Sequence, residues 1–146
     1  MLEKLHEHVV AEIEQSNRTD TLVVVVAIFF NVITLCSNST VSAIWFDLMG
    51  GEVSELGINL YLGAMVVLTI GLNAIALAGL VTGRKVREKL LGGLVTMYAD
   101  NKVEKYYDSS LISNYRARYR IFSGLTLLFA AAAIVVPLIL RSLRLS

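Results

Sequence analysis

The chain has 146 residues, of which 55% are hydrophobic, and its formal net charge is +1. A soluble domain contains about 45–50% apolar residues, so the excess favours a membrane protein over a soluble one. The near-neutral charge leaves no strong basic field, and we therefore expect no nucleic-acid partner.

The excess of apolar residues is concentrated in three runs that contain no charged residue, which are 21–46, 56–83 and 121–140. About 20 apolar residues in an α-helix cross the hydrocarbon core of a bilayer. Each of the three runs reaches that length. The sequence therefore predicts an all-α integral membrane protein with three transmembrane helices that contact the lipid bilayer.

The N-terminal segment 1–20 is predicted to form a cytoplasmic amphipathic helix. Leu2, Leu5, Val9 and Ile13 recur at helical spacing and share one face. The segment contains five acidic and two basic residues. This balance favours packing against a basic region of the same chain or of a neighbouring chain.

The first predicted transmembrane helix, 21–46, carries a stripe of uncharged polar residues. Asn31, Thr34, Asn38 and Ser42 are separated by 3, 4 and 4 residues, and this spacing places them on one side of a helix. A side-chain amide that faces lipid without a hydrogen-bond partner is costly. The stripe is therefore expected to face other helices or water.

The connection 47–55 is short and acidic, and Gly50 and Gly51 supply the conformations of a tight turn. We predict that this turn is extracytoplasmic. In an oligomeric pore its carboxylates would form a ring of mouth charges that attracts cations. These mouth charges are Asp47, Glu52 and Glu55.

The second predicted transmembrane helix, 56–83, contains two further amides. Asn59 and Asn73 are 14 residues apart, so they lie within about 40° of each other around a helix. Both are predicted to join the polar stripe of the first helix.

The connection 84–120 contains nine Lys and Arg residues, whereas 47–55 contains none. Positive charge marks the cytoplasmic side, so the N-terminus and 84–120 are predicted to be cytoplasmic. The third helix, 121–140, then leads to a tail, 141–146, outside. Apolar spacing within 84–120 indicates a basic helical hairpin. Six basic residues beside the spans are predicted lipid headgroup anchors: Arg84, Lys85, Arg87, Arg116, Arg118 and Arg120.

No sequence feature indicates catalysis. A phosphate loop, a dinucleotide fingerprint, a zinc-binding spacing and a nucleophile–base set are all absent from the sequence. The three apolar runs contain no ionisable Asp, Glu, Lys, Arg or His, which counts against a proton pump or a voltage sensor. We predict that the chain is not an enzyme and has no cofactor and no metal site.

Two interpretations of the polar residues compete. In the first, the amides bond to one another between helices and hold the bundle together. In the second, a homo-oligomer arranges the stripe around a water-filled path. The predicted function is a cation-conducting pore whose lining residues are Asn31, Thr34, Asn38, Ser42, Asn59 and Asn73. The alternative is a non-catalytic structural or regulatory subunit of a larger membrane protein complex.

Overall fold

The computed structural model describes residues 2–43, 54–102 and 110–145. The described part is helical, with α1 at Leu2–Ala43, α2 at Glu55–Asp100 and α3 at Leu111–Leu145. Each helix contains an apolar stretch that is long enough to cross a membrane. The structure therefore confirms an all-helical chain with three helices of transmembrane length.

The helices are longer than a bilayer is thick. They contain 42, 46 and 35 residues, which corresponds to about 63, 69 and 52 Å at 1.5 Å per residue. The hydrocarbon core measures about 30 Å. We call the parts beyond the apolar spans the stalk, which consists of residues 2–20, 84–100 and 111–120.

The N-terminal segment and the first predicted span form one uninterrupted helix. The sequence analysis treated 1–20 and 21–46 as separate segments, but α1 continues across their boundary. No Gly or Pro occurs between Leu2 and Ala43, so nothing in the backbone favours a break there. The stalk is therefore a direct continuation of the spans.

The three helices run up, down and up. Arg87 of α2 contacts Ser16 of α1, whereas Asn73 of α2 contacts Asn31 of α1. Residue numbers thus fall along α2 as they rise along α1, so these two helices are antiparallel. Tyr119 of α3 contacts Asp20, and α3 runs parallel to α1. We call the end where α1 stops and α2 starts the turn end.

The helices pack along a seam with a seven-residue repeat. In α2, the buried residues Asn73, Leu80, Arg87 and Leu94 follow one another at intervals of seven. A seven-residue repeat produces the left-handed packing of coiled coils and of most transmembrane bundles. The buried residues of α3 lie at intervals of 7, 4, 3, 4 and 4, and they are Tyr119, Thr126, Ala130, Ala133, Pro137 and Arg141.

Inside the transmembrane part of the bundle, small and polar residues lie beside a few buried apolar ones such as Ile58 and Leu62, whereas the outside is apolar. Asn31, Thr126 and Ala133 are fully buried, whereas Phe29 and Ile75 are 66% and 71% exposed. Lipid tails solvate large apolar side chains, while close helix packing favours small residues and interhelical hydrogen bonds. The distribution of side chains therefore suits a membrane. Near the stalk, Val24, Leu80 and Tyr119 form an apolar plug with Ile28 and Phe122.

Candidate functional site

The predicted polar stripe of α1 lies inside the bundle. Asn31, Thr34, Asn38 and Ser42 are each 2% exposed or less. They face the other two helices of the same chain, so the expectation that they share one side and avoid lipid agrees with their burial. Their role as pore-lining residues stays a prediction, because that role depends on further copies of the chain.

Two amides from different helices form a reciprocal pair at the start of this stripe. The Asn31 amide donates to Asn73 Oδ1 at 2.9 Å, and the Asn73 amide donates to Asn31 Oδ1 at 2.8 Å. The Asn73 amide also donates to the carbonyl of Thr69 at 2.8 Å. This pair joins α1 to α2 in the way that the first interpretation of the amides requires.

The rest of the stripe lacks such partners. Thr34 Oγ1, Asn38 Oδ1 and Ser42 Oγ are buried and have no hydrogen-bond partner among the described residues. We call Thr34, Asn38 and Ser42 the unpaired row. A buried polar group without a partner costs about 1–3 kcal/mol, so three of them in succession require an explanation.

Asn59 does not join the stripe. It is exposed at the turn end, and its Oδ1 accepts a hydrogen bond of 3.4 Å from Arg141. The same guanidinium contacts Glu55 Oε1 at 3.2 Å. Of the three predicted mouth charges, Glu55 is therefore paired with a cation of its own chain. Asp47 and Glu52 lie outside the described residues.

A buried charged cluster lies where the spans meet the stalk. Asp20 of α1 forms an ion pair of 2.9 Å with Arg87 of α2, and it accepts a hydrogen bond from the Tyr119 hydroxyl of α3. Arg87 also donates to Ser16 Oγ at 2.8 Å. Its guanidinium carbon lies 5.3 Å from the ring centroid of Tyr115. One carboxylate therefore connects all three helices.

This cluster changes the interpretation of Arg87. The sequence analysis expected a lipid headgroup anchor, but the side chain is 1% exposed and turned toward Asp20. Arg87 is seven residues after Leu80, so the packing seam carries it inward. A guanidinium in that position holds helices together instead of reaching lipid phosphates.

Asp20 approaches α2 very closely at Gly83. A Cβ atom added to Gly83 would lie 2.7 Å from Asp20 Oδ1, which is far inside van der Waals contact. The glycine leaves the space in which the carboxylate sits between the helices. Gly79, one turn away, has no atom within 4 Å of such a Cβ.

The remaining predicted anchors differ from Arg87. Arg84 and Arg116 both contact Glu88 Oε1, at 3.2 and 3.0 Å. The hydrogen bonds from Arg116 and Arg84 lower the pKa of the Glu88 carboxyl. Arg118 donates to Thr21 Oγ1 at 2.7 Å. Lys85 and Arg120 are exposed, and headgroup anchoring stays a prediction for all five.

Sequence reasoning missed Asp20 and Tyr119 as cluster residues. Asp20 lies seven residues after the buried Ile13 and eleven before Asn31. Eleven residues complete about three helical turns, so Asp20 continues the face of the stripe. This spacing is the sequence feature that places Asp20 on the buried face of α1. No cluster of three or more His, Cys, Asp or Glu residues suited to a metal occurs in the described residues.

Comparison with known proteins gives no relative from which a function could be transferred. No family model matches the chain, no curated protein is similar to it, and no solved structure is similar to it.

Proposed function

We propose that the chain is a non-catalytic structural subunit of a membrane protein complex, with the stalk in the cytoplasm. The observation that carries this proposal is that the polar residues of α1 face inward within one chain. A pore built from several copies would need them on a surface that those copies share. Instead, Asn31 is bonded to Asn73 and is fully buried.

The charged cluster supports a structural role for the stalk. Asp20, Arg87 and Tyr119 connect the three helices where they leave the apolar spans. Side chains held by several buried partners lose their freedom to rearrange, so the stalk and the spans behave as one unit. A partner protein that binds the stalk would therefore contact a surface that is already ordered.

The stalk presents opposite charges on different helices. Four exposed glutamates lie on α1, and they are Glu3, Glu7, Glu12 and Glu14. Four exposed basic residues lie on α2 and α3, and they are Lys85, Lys89, Arg116 and Arg120. Segregated charge gives orientation and specificity to a protein–protein contact. We propose that the basic surface, made by these four residues, binds a partner subunit with an acidic surface.

Purification in mild detergent tests this function. We expect a defined partner to co-purify with the wild-type chain and to be lost from the Lys85→Glu, Arg120→Glu variant. Lys4→Glu is the matched control, because Lys4 is an exposed lysine on the acidic helix, and it should retain the partner. Recovery of the chain alone, or equal loss in both variants, would contradict the proposal.

A cation-conducting homo-oligomer is the second candidate function. It requires the unpaired row to turn toward a path shared by several copies, where hydroxyl and amide oxygens can replace part of the hydration shell of a cation. The observation in its favour is that these oxygens have no partner among the described residues. Purified protein in liposomes should then pass cations, and Asn38→Leu should reduce the flux. Ile33→Leu, a conservative change at a lipid-facing position, should not. A silent wild-type protein, or a monomeric mass in detergent, would remove this candidate.

A further inference from the structure

The unpaired row lies in the half of the bundle near the turn end. We propose that a file of water molecules enters the bundle there and extends inward as far as Thr34. The proposal is independent of the subunit function proposed above. It depends on the burial of the row, on the residues opposite it, and on what closes the file at its inner end.

Two buried threonines elsewhere in the bundle satisfy their own hydroxyls, although Ser39 Oγ, outside the row, is also buried without a partner in the described residues. Thr69 and Thr126 are also fully buried, and their hydroxyls donate to the carbonyls of Met65 and Phe122, four residues earlier, at 2.7 and 2.9 Å. Thr34 and Ser42 make no such bond within the described chain. Their buried hydroxyls therefore lack the bond that Thr69 and Thr126 make.

On α3, the residues at the level of the row supply no side-chain partners. The Asp20–Tyr119 hydrogen bond joins positions 99 apart in the parallel helices α1 and α3. Continued along the two helices, this offset brings Ala133 to the level of Thr34 and Pro137 to the level of Asn38, and both are buried. Alanine and proline side chains can neither donate nor accept a hydrogen bond. These side chains of α3 therefore offer the row no hydrogen bond.

Pro137 adds an acceptor at the same depth. Proline has no backbone N–H, so the carbonyl four residues earlier loses its usual helical donor. That carbonyl belongs to Ala133, which lies at the level of Thr34 in the register above. Proline in a transmembrane helix is tolerated where water or hydroxyl groups bond to the freed carbonyl. A water between Thr34 and Ala133 would bond to both.

The two ends of the row set the limits of the water file. At the turn end, Arg141 is 9% exposed and its Nε has no partner in the described part of the chain. This guanidinium is paired with Glu55, so the pair adds no net charge at that end. At the inner end, the Asn31–Asn73 pair is followed by the apolar plug. The file therefore ends inside the bundle. Buried waters of this kind need two to four polar partners, which the row, the Ala133 carbonyl and Arg141 supply.

Cysteine accessibility in liposomes tests the proposal. Cys36 is exposed and is first replaced by Ser. Single cysteines then replace Thr34, Asn38 or Ser42, and silver ions serve as a small hydrophilic thiol reagent. Controls are Ile33→Cys, which faces lipid, and Thr126→Cys, which is buried beyond the asparagine pair. Thiols react as thiolates, which form in water.

We expect silver to react at positions 42, 38 and 34, in falling order of rate and at least about tenfold faster than at the two controls. Rates at 34 and 38 equal to the controls would overturn the proposal.

Unfolding of Thr34→Val gives a second measurement. Removal of a hydroxyl that binds water lowers the unfolding midpoint, as Thr69→Val should do. A raised midpoint for Thr34→Val would show a dry, unpaired hydroxyl and would also overturn it.

Discussion

The charged cluster and the unpaired row are both buried polar regions of one bundle, but they differ in how their polar atoms are bonded. In the cluster, Asp20 is bonded to Arg87 and to Tyr119 from the two other helices. In the row, neutral oxygens are buried and have no partner among the described residues. The cluster lies at the edge of the spans, where charge is less costly than at mid-membrane. At the edge of the spans, charged groups thus bond to one another, although Arg87 Nε has no partner in the described residues. Deeper in the spans, the uncharged oxygens of the row have none.

The largest expected effect comes from removal of one charge of the cluster. Asp20→Asn leaves Arg87 as a buried cation without its counter-ion, and we expect a loss of about 3–5 kcal/mol in the free energy of unfolding. Denaturant titration in detergent measures it. Arg18→Ala is the control, because the Arg18–Glu14 pair is exposed on one helix and contributes about 0–1 kcal/mol. Equal losses would show that the cluster is not a buried unit.

The next effect tests the space beside Asp20. In Gly83→Ala, the added methyl would lie against Asp20 Oδ1, so the carboxylate or the helix must shift. We expect a loss of about 1–3 kcal/mol, as for other overpacked positions. Gly79→Ala has open space around its Cβ and should be neutral or slightly stabilising. Thermal unfolding of both variants decides whether close approach at Gly83 matters.

A smaller effect is expected for the asparagine pair, which closes the inner end of the row. A double-mutant cycle with Asn31→Ala and Asn73→Ala should give a coupling of about 0.6–1.7 kcal/mol, the range of hydrogen bonds within membranes. The cycle isolates the pairwise contribution from each single loss. Additive losses would mean that each amide finds another partner, and the asparagines would then not bridge α1 and α2.

The smallest expected effect is the pH dependence of the Glu88 contacts at the stalk surface. Arg116 and Arg84 lower the pKa of Glu88 below its ordinary value of 4.5. A carboxyl with a lowered folded-state pKa stabilises the fold fully above the ordinary value, and this contribution disappears as the pH falls through the lowered value. Unfolding midpoints measured from pH 6 to 3, at about one-unit steps, should therefore decline less in Glu88→Gln. Parallel curves would contradict the ion pairs.

The sequence was sufficient for the helices and for the side of α1 that faces inward. Charge-free runs report transmembrane length directly, and spacings of 3 and 4 report a helix face whatever lies opposite it. The prediction for Asn59 differs from the structure. The 14-residue spacing gives the direction of Asn59 around α2, but it does not give the depth at which the polar stripe of α1 ends. Asn59 lies at the turn end beside Arg141, away from the stripe.

The partners across the bundle required the structure. Asn31 pairs with Asn73 because of the register between two antiparallel helices, and register depends on side-chain packing along the whole seam. Arg87 looked like one of six similar basic residues. Steps of seven from Asn73 reach Leu80 and then Arg87, so the repeat distinguishes it once the seam of α2 is known.

Most large apolar side chains of the spans lie on the outside of the bundle, and this distribution has a consequence for engineering. A water-soluble analogue made by replacing only the lipid-facing residues, such as Phe29 and Ile75, with polar ones would have too small a hydrophobic core to drive folding. Its centre at membrane depth would hold carboxamides, hydroxyls, alanines and one proline, which release little free energy when they leave water, and only a few large apolar residues such as Ile58, Leu62 and Leu80. Any such redesign has to rebuild the interior first, with leucine-sized residues along the seven-residue seam.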